Sequence, residues 1–94
     1  LEPEYRIGDL VRLNVDKKPL GLTVLVDVYG DVFGMELNRD GLIPKIVGRF
    51  MKNDVGVVVQ IDGETRMTRV MTKSGVIGWA NTWDFIPVKD GGGV

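Results

Sequence analysis

Apolar and polar positions alternate with a period of two over most of this chain, and turn residues interrupt the alternation at short intervals. Val55, Val57, Val59 and Ile61 fall on one face of a strand, with Gly56, Val58 and Gln60 on the other. Asp62-Gly63 is a strong turn dipeptide, and residues 66–72 read as the returning strand. Lys73-Ser74-Gly75 is the next turn, followed by a strand at 76–80, one 3-10 turn at 81–84 and a last short strand at 85–88. This predicts a meander closed by Trp79 and Trp83, with Trp79 covering one end. Ahead of it, Ile7, Leu10, Val11, Leu13 and Val15 mark an opening strand with a bend at Gly8-Asp9. The strand has to stop at Lys17-Lys18-Pro19, because proline lacks an amide donor and restricts the residue before it.

Between these parts, two β-rich runs at 22–29 and 32–37 flank Gly30-Asp31, which predicts a hairpin with a two-residue turn. Asn38-Arg39-Asp40-Gly41 is a further turn cluster, and Pro44 limits residues 45–50 to a short edge strand or an irregular loop. The hairpin carries apolar residues on both faces: Val24, Val26 and Val28 on one, Leu25, Tyr29 and Phe33 on the other. A hairpin lying on its own core needs only one apolar face. Two faces predict either a partner chain on the second, or cover from residues 44–50 folding back. No window of helix length shows a 3.6-residue recurrence, so no α-helix is expected.

Ninety-four residues make one domain. Residues 5–88 are expected to form its body, with 1–4 and the glycine-rich 89–94 as flexible termini. The chain begins at Leu1, and is read as processed or excised from something longer. It contains neither cysteine nor histidine, which excludes disulfides, thiolate nucleophiles, imidazole acid–base chemistry and Cys/His zinc sites. No metal site and no cofactor is expected: residues 60–64 lack the ligand ladder of a calcium loop, and Gly91-Gly92-Gly93 is not placed between a strand and a helix. The aspartates sit at turns and strand ends, where they support bends, so no catalytic residue is assigned. No apolar run is long enough for a membrane helix. The net charge is −1, yet two stretches are locally basic: Arg39, Lys45, Arg49 and Lys52 against Asp40 alone, and Arg66, Arg69 and Lys73 with no acid between residues 65 and 83. Such runs suit phosphate or simply a solvated strand face.

Gly8-Asp9-Leu10-Val11-Arg12, the 54–59 run, Arg69-Val70-Met71, Gly78-Trp79 and residues 83–88 resemble small SH3-like barrel proteins of tailed bacteriophages, similar in outline to KOW-type and bacterial SH3 modules. The resemblance covers less than half of the chain as motif. It implies an all-β fold, a single five-stranded barrel with the 22–37 hairpin inserted, and a non-enzymatic structural protein of the virion: a capsid decoration or cement, neck or tail component. Its partners would be other viral subunits or copies of itself, bound through Tyr29, Val32 and Phe33 with Arg39, Lys45, Arg49 and Lys52 as a charged rim. A second reading is a KOW-like nucleic-acid module, cytoplasmic, using Arg49, Arg66, Arg69 and Lys73. A third is an adaptor domain from a larger protein. Proline-peptide recognition lacks the acidic, aromatic first loop it would need, and most rings read as core.

Overall fold

The computed structural model describes residues 3–27 and 45–88. Within them the chain is all-β: β1 (Leu10–Leu13), β2 (Leu22–Val26), β3 (Ile46–Met51), β4 (Val55–Asp62), β5 (Met67–Thr72), β6 (Ile77–Asn81) and β7 (Phe85–Pro87), with one 3-10 turn at Thr82–Asp84. All pairings are antiparallel, in the order β3-β2-β6-β5-β4-β1-β7. The expected five strands become seven. The two end strands, β3 and β7, are not paired with each other, so the sheet is not closed.

The extra strands come from the segment between β1 and β4. β2 pairs with β3 along its length, from Leu22↔Met51 to Val26↔Ile46, and meets β6 at Val26↔Trp79. The return strand expected at 32–37 lies outside the described residues. What sequence allowed as a short edge strand or loop after Pro44 is a six-residue edge strand. β1 ends at Leu13, two residues before Val15, because Asn14 starts a turn. Its carbonyl accepts the Lys17 and Lys18 N–H groups and its side-chain oxygen accepts that of Asp16.

Every strand contributes to one core: Val11 and Leu13 from β1, then Leu25, Phe50, Val58, Val70, Ala80 and Phe85 in strand order, with Tyr5 from the lead-in. Phe50 and Phe85 meet edge to face at 5.0 Å between ring centroids. Close approach of the backbones is permitted by Gly56 beneath the Phe50 ring and by Gly78 beneath Leu25 and Val47. On β4 the alternation is broken by a bulge at Val59, where the register shifts between Val58 and Gln60. Val58 and, past the bulge, Ile61 turn inward, whereas Val55 and Val57 lie on the outer face.

Trp79 departs from expectation. Its neighbours Gly78 and Ala80 face the core, so Trp79 points to the outer side, where the Arg69 guanidinium lies over its ring at 5.8 Å. It is nonetheless buried. It is therefore enclosed on the outer side of the sheet, beside Arg69, and is not part of the core.

A buried polar ring ties the lead-in to the meander. The Tyr5 hydroxyl donates to the Thr82 carbonyl at 2.6 Å, and this single proton orders the rest. Thr68 donates to the Tyr5 oxygen at 3.0 Å, and the Thr82 hydroxyl donates to Thr68 at 2.9 Å. Burial raises the Tyr5 pKa above its ordinary 10.0, the nearby Asp84 carboxylate adds to this, and the bonds to Thr68 and Thr82 work against it. The folded state thus holds a proton that the unfolded chain sheds above pH 10.0. The stability Tyr5 supplies is complete below that pH and is lost as pH rises through the higher folded value. Tyr5→Phe is expected to cost about 1–2 kcal/mol at neutral pH, through the Thr68 and Thr82 groups left unpaired. Urea titrations at neutral and at strongly alkaline pH would then show a smaller alkaline loss for the variant than for the parent.

Candidate functional site

A row of apolar side chains across four strands stands out on the outer surface once the register is known. Leu10 on β1 is directly opposite Val57 on β4, Val57 is opposite Met71 on β5, and Met71 is opposite Ile77 on β6. Cross-strand partners share a face, so all four stand on one side of the sheet. Leu10 is 48% exposed, Met71 37% and Ile77 41%, with Val55 beside them at 41%. Leu10, Val55, Val57 and Met71 form the wall of a groove of about 430 Å³, and Asn53, Asp54, Thr72 and Lys73 give it a polar rim.

The sequence placed the partner surface elsewhere. Tyr29, Val32, Phe33 and Arg39 lie outside the described residues. Lys45, Arg49 and Lys52 are exposed, on and beside the edge strand β3. β2 keeps part of the expected two-faced character: Thr23 and Leu25 are buried, while Val24 on the other face is 39% exposed. The alternative expectation, that residues 44–50 fold over the second face of this run, is not what β3 does. It pairs edge to edge with β2 in the same sheet, and Arg49 stands beside Val24 on the outer side.

The row on β1, β4, β5 and β6 was legible by the same physical argument that singled out the hairpin. Residues 55–59 are apolar on both faces except for Gly56, and β5 carries Val70 between Met67 and Met71 on the opposite face. Two-faced apolar strands without cover on one side leave contiguous exposed surface, which marks interaction sites.

The four cations of the nucleic-acid reading do not converge. Arg66 precedes β5 and Lys73 follows it, so they sit at opposite ends of the strand, roughly 23 Å apart at about 3.3 Å per residue. Arg66 itself is in the left-handed region, with φ 62°, at the end of a turn supported by Asp62. Arg69 lies midway, engaged with Trp79. Arg49 is on β3, at the far side of β2 and β6 from β5.

Of the carboxylates, Asp84 is the most enclosed. It accepts the Thr23 hydroxyl at 2.9 Å, and Lys18 Nζ lies 3.7 Å from the same oxygen. This links β2 to the 3-10 turn across the core opening, a tie between elements far apart in sequence. Asp9, Asp54 and Asp62 each accept backbone N–H groups in turns, as their positions in the sequence predict. Among the described residues, no group of three or more His, Cys, Asp or Glu side chains is arranged to hold a metal ion, and no helix is long and apolar enough to cross a membrane.

The arrangement is thus that of an antiparallel all-β domain with an apolar row on its outer face and a basic sheet edge. Comparison with protein-family models, curated proteins and solved structures gives no match.

Proposed function

We propose that this chain is a non-enzymatic interaction module with an SH3-like barrel fold, a small structural subunit that holds neighbouring protein chains in a phage particle, as a capsid decoration, neck or tail component. The fold part of this reading is supported by the order β6-β5-β4-β1-β7, which is that of the five strands of such a barrel, with β2–β3 inserted after β1 and laid along β6. The observation that carries the function is the row Leu10, Val57, Met71 and Ile77, exposed at Leu10, Met71 and Ile77 and half-buried at Val57, with its groove. Apolar surface of this continuity is unfavourable in water by about 25 cal/mol per Å² and is relieved when another chain covers it.

Met71→Glu tests this without touching the core, since Met71 points outward. Exposed substitutions of this kind change stability by no more than about 0.5 kcal/mol. The variant is expected to fold as the parent does and to lose its place in the purified particle. Cross-linking and size-exclusion chromatography read the outcome. Recovery of the parent chain only as a free monomer, with none in particles, would refute the assignment.

A further inference from the structure

The exposed edge of β3 has a chemistry of its own. Lys52 N–H donates to the Gly21 carbonyl, so Lys52, Phe50 and Gly48 direct their backbone groups towards β2. By the same alternation Met51 and Arg49 direct theirs away. At the other end, Asp27 N–H donates to the Lys45 carbonyl, and past the bulge near Val26 it is Ile46 that faces outward. The outward groups of Met51 are already met by Asp54, whose carboxylate accepts the Met51 N–H at 2.8 Å and whose own N–H donates to the Met51 carbonyl at 2.9 Å. Those of Ile46 and Arg49 have no partner among the described residues. Among the described residues the result is a short open edge, bounded by Asp27 at one end and Asp54 at the other. A depression of about 520 Å³ lined by β3 side chains, Ile46, Arg49 and Met51 among them, runs along it.

We infer that β3 accepts an extended, acidic segment of another protein as an added strand. Main-chain hydrogen bonds to Ile46 and Arg49 would hold it, and Lys45, Arg49 and Lys52 would select its charge. The three cations have no ion-pair partner among the described residues, and the two carboxylates at the ends of the edge are occupied with backbone N–H groups. A second copy of this chain fits poorly. Antiparallel pairing of β3 with itself would bring both sets of three cations together, and like charges across a strand pair are unfavourable. Exposed Ile46 and Met51 provide apolar contact for alternate side chains of the incoming strand. The inference rests on the proposed role as an interaction module and adds the chemistry of one partner to it.

A dye-labelled peptide of alternating glutamate and valine, with a lysine–valine counterpart, serves as the probe. Fluorescence anisotropy should show binding of the acidic peptide alone, weakening as salt rises. Amide exchange should slow at Ile46 and Arg49 when it binds. Two variants separate charge from strand pairing. Arg49→Glu reverses the central charge, and Ile46→Pro removes an outward donor while keeping all three cations. Each should weaken binding about tenfold or more, Arg49→Glu by reversing a charge and Ile46→Pro by removing a main-chain hydrogen bond. Full affinity in Ile46→Pro, preference for the lysine peptide, absence of binding, or a concentration-dependent dimer through β3 would each overturn the inference. The outer-face row is untouched by both variants. Failure of the parent chain to bind the acidic peptide while it is still incorporated into the particle would therefore sink this inference alone, whereas absence of the parent chain from the particle would sink the proposed function.

Discussion

Phe50→Ala is expected to remove about 3–5 kcal/mol of stability, the range for deleting a fully enclosed aromatic ring. Phe50 is 0% exposed and is the largest of the fully buried side chains. Its ring packs edge to face on Phe85 and lies directly over Gly56, whose Cα-side space it fills to within 2.9 Å of where a Cβ would sit. Neither neighbour can follow the shrinking side chain: Gly56 has no side chain to move, and Phe85 is held in β7 beside β1. The cavity therefore stays open and the cost falls towards the upper end. A domain of this size has a total stability of about 5–14 kcal/mol, so the loss is a large share of it. Each kcal/mol corresponds to about 4–8 °C in a domain of 60–100 residues, so thermal unfolding by circular dichroism should move down by roughly 15 °C or more. Phe50→Leu, which refills part of the space, should lose distinctly less. Equal stability of Phe50→Ala and the parent would mean that β3 is not seated on the core.

That expectation could not be formed from the sequence, and the reason is specific. Pro44 limits residues 45–50 to a short edge strand or an irregular loop, and neither reading seats Phe50 in the core. Its role depends on β2 and β3 pairing across a long sequence separation, which no local pattern encodes. The meander was legible for the opposite reason. Asp62-Gly63, Lys73-Ser74-Gly75 and Asn81 carry their own turn chemistry, so strands β4 to β7 follow from neighbours in sequence: the Asn81 side chain accepts the Trp83 N–H, and Gly75 adopts φ 93°. What alternation could not supply was polarity of the face. The valines at 55 and 57 read as a natural core stripe, yet the core takes Gly56 and Val58, because Phe50 needs the space above a glycine. The apolar row on the outer surface is the direct consequence. That these strands are apolar on both faces is legible in the sequence, but which face stays uncovered is decided by the same long-range pairing that seats Phe50, while the basic character of the β3 edge is visible as the run Lys45, Arg49 and Lys52.

Gly78→Ala should be the most damaging conservative change outside the aromatic pair. A Cβ at position 78 would lie 2.7 Å from Leu25 Cβ, 2.9 Å from Val47 Cγ2 and 3.2 Å from the Val26 carbonyl. The first is a side-chain atom fixed to the backbone of β2, and the last is backbone itself, so no rotamer change relieves either contact. β2 can only move away from β6. That would break the Val26↔Trp79 pairing, the described register between β2 and β6, and would lift the whole β2–β3 hairpin off the meander. Overpacking of a core by one methyl group costs about 1–3 kcal/mol, and the rigidity of these contacts puts Gly78→Ala at or above the upper bound. The effect should be local before it is global. Amide exchange in β2 and β3 should accelerate well before that in β4, β5 and β1, because only the hairpin depends on the close approach. A uniform acceleration across all seven strands would instead mean that the hairpin and meander unfold as one unit. Uniform loss would also change the reading of the β3 edge. A hairpin that can separate from the meander can adjust to an incoming strand, whereas one inseparable from it must accept a partner in the geometry it already has.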